Sequence, residues 1–137
     1  MKLKLLIYIL DDNQLDLELM SRSLHSDTFD IELFTEPDKF KASLNDDVSM
    51  VITDIGIPNF DVCETVERIK QKHEGLYVIV VSGYLDCAMY ERLVDCHVWN
   101  IVDKNHINWL EKLKLKVELT VPKMLSKKRA LMINECV

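Results

Sequence analysis

The chain has 137 residues, 48% of them hydrophobic and 29% charged, which suits one domain with a single sizeable core and excludes a disordered or fibrous chain. Its net charge of −6 gives no reason to expect nucleic-acid binding. No apolar run reaches the roughly 20 residues of a membrane span. The basic and apolar start MKLKLLIYIL breaks off at Asp11-Asp12 without a small-residue cleavage site, so a cytoplasmic protein is expected.

The cysteines Cys63, Cys87, Cys96 and Cys136 form no C-x-x-C pair and stand at no zinc-finger spacing with histidine. Reduced, mostly buried thiols are expected.

Leu5 to Leu10 is a nearly continuous apolar run, the pattern of a strand buried on both faces. Asp11-Asp12-Asn13 then brings helix-start chemistry, and Leu17, Met20 and Leu24 follow at helical spacing. Ile31, Leu33 and Thr35 alternate with Asp30, Glu32 and Phe34, which predicts a half-exposed edge strand. Pro37 opens a second helix that runs through Leu44. Met50 to Thr53 is the next apolar run and ends at Asp54. Val62, Val66 and Ile69 form one helical face. Tyr77 to Val81 is the most β-prone segment. Met89, Leu93 and Cys96 predict a fourth helix, Val98 to Val102 a fifth strand, and Ile107, Leu110, Leu113 and Val117 a fifth helix.

Strand and helix therefore alternate five times, which implies a parallel sheet covered by helices on both faces. Right-handed crossovers leave few arrangements. The flavodoxin-like order 2-1-3-4-5 puts the alternating second strand at an edge and the apolar first, third and fourth strands inside.

Pro122 is expected to stop the fifth helix. The chain then divides into a domain over residues 1–121 and a basic tail over 122–137. In the tail Lys123, Lys127, Lys128 and Arg129 face only Glu135 in charge, while Met124 with Leu131 and Leu125 with Met132 repeat every seven residues. A short terminal helix or frayed end is the plain reading of that pattern. The sharper one is a homodimer contact or a linker toward an output domain.

In open parallel sheets, ligands bind at the carboxyl ends of the strands. Those ends carry Asp11-Asp12, Asp54, Ser82-Gly83 and Lys104. Singly, each residue has a dull explanation: Asp11 or Asp12 as a helix cap, Asp54 as a turn residue, Ser82 in a local turn bond, Lys104 as a solvated charge. Jointly, three carboxylates on adjacent inner strands repel one another unless a cation sits among them. Mg²⁺ suits such a set, because it takes hard oxygen ligands and one or two carboxylates. A carboxylate can attack a phosphoryl donor directly. Lys104 would supply positive charge to the phosphoryl oxygens and the Ser82 hydroxyl a hydrogen bond, while Gly83 leaves the approach clear.

Asp11, Asp12, Asp54, Ser82 and Lys104, in this order and on these strand ends, resemble the response-regulator receiver family over roughly residues 4 to 119; Pro58 and Asp61 resemble its loop after the acceptor. The resemblance implies Asp54 as phosphoacceptor, with Ser82 and Lys104 assisting. It implies Mg²⁺ on Asp12, Asp54 and the backbone carbonyl of Gly56, with Asp11 helping through water. It also implies a histidine kinase or histidine phosphotransfer protein as donor and a downstream effector as partner, with no enzymatic activity on another substrate. The chain departs from the family at Asn105, where proline is usual, and at Val62, where glycine is common. It departs again at Ile101, where an aromatic residue usually serves as a packing switch. Trp99, two residues away, would share the face of Ile101 on a strand.

Two other classes fit less well. A haloacid-dehalogenase-like phosphatase needs a second aspartate where Gly56 stands. Three glycines cannot build a nucleotide-binding phosphate loop. A receiver-like module that binds partners without phosphorylation is the alternative that Ile101 keeps open.

Overall fold

The computed structural model describes residues 3–136, with side chains over 3–134. The elements are β1 (Leu5–Leu10), α1 (Gln14–Leu24), β2 (Phe29–Phe34), α2 (Pro37–Ser43), β3 (Val48–Asp54), α3 (Val62–Lys72), β4 (Tyr77–Ser82), α4 (Cys87–Asp95), β5 (Asn100–Asp103) and α5 (Trp109–Cys136). The strands pair in the order β2-β1-β3-β4-β5, and every pair is parallel. This is the expected flavodoxin-like sheet.

Alternation along each inner strand divides the core into two layers. Leu5, Ile7 and Ile9 of β1 meet Leu17, Met20 and Leu24 of α1 and Leu113 and Val117 of α5. Tyr8 and Leu10 point the other way, toward Phe40 of α2, Val66 and Ile69 of α3 and Leu93 of α4. Burying one such side chain contributes about 1.5–3 kcal/mol, so both faces of β1, β3 and β4 had to be apolar. That requirement explains why these strands stand out in the sequence.

Three helices start on a side-chain cap at the rim of the sheet. Asn13 accepts from the Asp16 N–H at 3.0 Å, Asp61 from Glu64 at 3.1 Å and Asp86 from Met89 at 2.8 Å. Asp61 also accepts from Arg92 of α4 at 2.6 Å. These two donors hold its carboxyl below the usual range, the Glu64 N–H contributing most. Among the cysteines, Cys63 is buried, Cys96 half-buried and Cys87 exposed, all three as free thiols. The side chain of Cys136 lies outside the described residues.

Three expectations need correction. Pro122 does not end α5, which runs on to Cys136 with the proline inside it. An internal proline costs a helix about 3 kcal/mol through its missing N–H and ring clash. Tertiary contacts offset that cost: Met124 is buried in the α1/α5 core, with Val121 and Leu125 packed against it. Lys127 donates to the Glu74 carbonyl at 2.8 Å, and Lys128 donates to the carbonyl of Lys4. Both acceptors precede strands, so the tail closes the end of the sheet opposite the strand carboxyl ends. Gly75 lies directly under the Lys127 chain at φ 83°, and a Cβ there would overlap the ammonium group.

Ile107 is 97% exposed rather than part of the α5 core face. Residues 104–108 form turns, and the helix starts only at Trp109. Trp99 does not share the face of Ile101. It precedes β5 and follows His97, whose φ is 64°, so strand alternation does not govern it. Its indole N–H donates to Thr120 Oγ1 at 3.0 Å, and its ring meets Tyr77 at 4.9 Å between centroids, on the α5 side. Ile101 packs into the opposite layer, with the α3 and α4 residues.

Candidate phosphoryl-acceptor site

The carboxyl ends of β1 and β3 bring Asp11, Asp12 and Asp54 together. One carboxylate oxygen from each lies within 4.8 Å of the others, the arrangement of a hard-oxygen cation site. Asp11 is fully buried, Asp54 half-buried and Asp12 exposed. The cap on α1 is Asn13, so neither Asp11 nor Asp12 is needed there. Asp11 Oδ1 instead accepts the Asn13 N–H at 2.9 Å.

Asp54 presents two different oxygens. Oδ1 accepts from the backbone N–H of Ile55 at 2.7 Å and of Gly56 at 3.2 Å. These bonds fix the carboxylate plane. Oδ2 faces Lys104, whose Nζ donates to it at 3.2 Å. The same ammonium donates to Asp11 Oδ2 at 2.6 Å and Asp16 Oδ2 at 2.8 Å. The Lys104 backbone N–H donates to the Ser82 carbonyl at 2.9 Å, which carries the β4–β5 pairing up to the site. The ring of Trp109, first residue of α5, lies 5.8 Å from Nζ.

The electrostatics follow from burial and this one cation. Burial pushes the Asp11 carboxyl up, while Lys104 and the Asn13 N–H pull it back only in part. Burial would lower the Lys104 ammonium, but the bonds to Asp11 and Asp16 and the charge of Asp54 outweigh it and hold its pKa above the usual lysine range. One ammonium thus serves three carboxylates, and Asp12 lies beside them. The pocket carries excess negative charge that suits a small divalent cation.

Ser82 closes β4 and is buried; its Oγ accepts the Tyr84 N–H at 3.0 Å. The structure therefore places it on the expected strand end but turned into its own loop. Asn105 occupies the position after Lys104, and no peptide bond among the described residues is cis. Its side-chain amide donates to the Gly83 carbonyl at 2.8 Å. This bond ties the loop after β5 to the loop that carries Ser82.

Sequence reasoning missed Asp16. An acidic residue in the first turn of a helix is already explained by the helix dipole, and that explanation hid its second contact.

Comparison with known proteins agrees with this geometry. Residues 7–117 match the response regulator receiver domain. A cyclic di-GMP phosphodiesterase of Thermotoga maritima is 26% identical over 111 residues, which is 81% of this chain and 29% of that protein. The chain spans less than a third of the curated relatives it matches. A CheY-like receiver domain protein of Methanospirillum hungatei superposes with a TM-score of 0.78 at 17% identity, covering 90% of this chain and 98% of the other. The response regulator DrrB of Thermotoga maritima also gives 0.78, at 18% identity over 88% of this chain and 54% of its own. Among the described residues, no helix is long and apolar enough to cross a membrane. With the match spanning most of the chain and the acidic pocket at the strand ends, this chain belongs to the response regulator receiver domain family.

Proposed function

We propose that the chain accepts a phosphoryl group on Asp54 and so switches the binding of a downstream effector in a cytoplasmic phosphorelay. A histidine kinase or histidine phosphotransfer protein is the donor. The observation that carries this reading is the position of Asp54: its Oδ1 is fixed by two backbone N–H groups, and its Oδ2 is aimed at the half-buried Lys104. Residues 1–121 carry the receiver role, and residues 122–136 continue α5 beyond it.

Asp54 Oδ2 attacks the phosphorus. The new O–P bond forms as the bond from phosphorus to the donor's leaving atom breaks, and that atom departs with the electron pair. No redox change occurs. Lys104 then turns one N–H from Oδ2 to a phosphoryl oxygen, which offsets charge where it develops. Asp11, Asp12 and Asp54, with the Gly56 carbonyl, would hold Mg²⁺, which supplies further neutralisation of the phosphoryl oxygens. Ser82 Oγ accepts from the Tyr84 N–H, which leaves its O–H free to donate to a phosphoryl oxygen.

Incubation with acetyl phosphate and MgCl₂, followed by intact mass, tests the proposal. The chain should gain one phosphoryl group and Asp54→Asn none; equal gain in both would sink it. A phosphorylation-independent binding module is the second reading, favoured by Ile101, a half-buried aliphatic side chain packed against the α3 and α4 layer. No gain in the wild type would select it.

A further inference from the structure

An ammonium has three N–H donors and no acceptor. In Lys104 the three donors meet Asp11, Asp16 and Asp54. To bind a phosphoryl oxygen, Lys104 must release one of them. The Asp54 contact is the longest, 3.2 Å against 2.6 Å and 2.8 Å. It is also the one that weakens when Oδ2 becomes the bridging oxygen of an acyl phosphate and loses its charge.

What keeps the ammonium in place after that release is a separate question. Asp11 belongs to the carboxylate set available to a cation, whereas Asp16 does not. Asp16 comes from the first turn of α1, where the Asn13 side chain holds its backbone N–H. Its carboxylate is only 24% exposed. We propose that Asp16 is a positioning residue that tethers the Lys104 ammonium to the start of α1. The N–H freed from Asp54 then turns to the phosphoryl oxygen while the lysine stays anchored. This rests on Asp54 being the acceptor. The gain is preorganisation: the lysine chain is ordered before the donor arrives.

The test is a double-mutant cycle on the full chain, labelled with acetyl phosphate in excess MgCl₂ and followed by intact mass. Asp16→Ala should slow labelling about tenfold, less than the roughly hundredfold that a 1 Å misplacement can cost. Asp16→Asn keeps an acceptor oxygen and should recover most of the rate. In a Lys104→Met background, Asp16→Ala should add less than about a twofold change, since its effect runs through the lysine. Thermal melts establish that each variant is folded.

The ¹⁵N signal of the Lys104 ammonium gives a readout independent of phosphorylation. It should persist in Asp16→Asn and broaden in Asp16→Ala through faster proton exchange. An unchanged signal in Asp16→Ala overturns the tether, even if Lys104→Met labels too slowly to follow. So does equal slowing with and without Lys104. A wild type that gains no phosphoryl group but shows the signal change overturns the acceptor reading, and with it the catalytic purpose of the tether.

Discussion

Lys104→Met is expected to destabilise the chain by about 3 kcal/mol in the absence of divalent cations, because it leaves the buried Asp11 carboxylate without a counter-charge. For a chain of this length that is a fall in Tm of roughly 10 °C. Asp11 already sits above the ordinary carboxylate range because of burial, and Lys104 opposes that rise. Without the lysine it rises further. A carboxyl whose folded pKa is raised gives its stability below its unfolded pKa, and that stability is lost as pH rises through the folded pKa. The deficit should therefore be smallest in acid and largest at neutral pH. The wild-type lysine behaves with the same sign at the other end of the scale: its pKa is raised, so its contribution fades only above the ordinary lysine range. Mg²⁺ should stabilise the variant more than the wild type, since the cation takes over the ammonium's role among the carboxylates. Urea melts at acidic and neutral pH, with and without MgCl₂, measure all of this. Equal deficits at both pH values, with no extra gain from Mg²⁺, would contradict it.

Phe40→Ala should cost about 3–4 kcal/mol. Phe40 is the one buried side chain of α2, a helix of 7 residues, and a helix so short has little stability of its own. Its ring meets Phe34 at 5.7 Å and Tyr8 at 6.3 Å between centroids. The Tyr8 hydroxyl donates to the Ser43 carbonyl at 2.9 Å and pins the far end of the same helix. Removing the ring leaves α2 held mainly by that bond. Amides of residues 37–43 should then exchange far faster than those of α1 or α3, while denaturant midpoints fall. A loss under about 1 kcal/mol, with α2 still protected, would show that the site collapses onto the gap.

The sheet order was legible because burial on both faces leaves an apolar run that little else produces. The acidic pair, Asp54, Ser82 and Lys104 were legible because the carboxyl ends of parallel strands converge, whatever the intervening helices contain. Local rules failed where a residue lay just outside its element or answered to distant partners. Trp99 obeys no alternation because the ladder begins one residue later. Ile107 stands in a turn that helical periodicity cannot see. Pro122 was misjudged because its cost is local, whereas Met124, Lys127 and Lys128 repay it against residues far away in the sequence. Asp16 escaped because its partner lies in the turn just after the last strand.

Gly75 and Lys127 form a constraint that no single-site comparison would expose. The left-handed backbone at Gly75 disfavours any side chain by roughly 1–2 kcal/mol, and the overlying lysine adds a second objection. Shortening Lys127 removes only the second. Gly75→Ala should therefore be tolerated better beside Lys127→Ala than alone, and a library of paired substitutions would read these two positions as neighbours. The C-terminal part of α5 and the turn before β4 thus meet at one contact, where a side chain at position 75 would displace the flexible end of Lys127 from the Glu74 carbonyl.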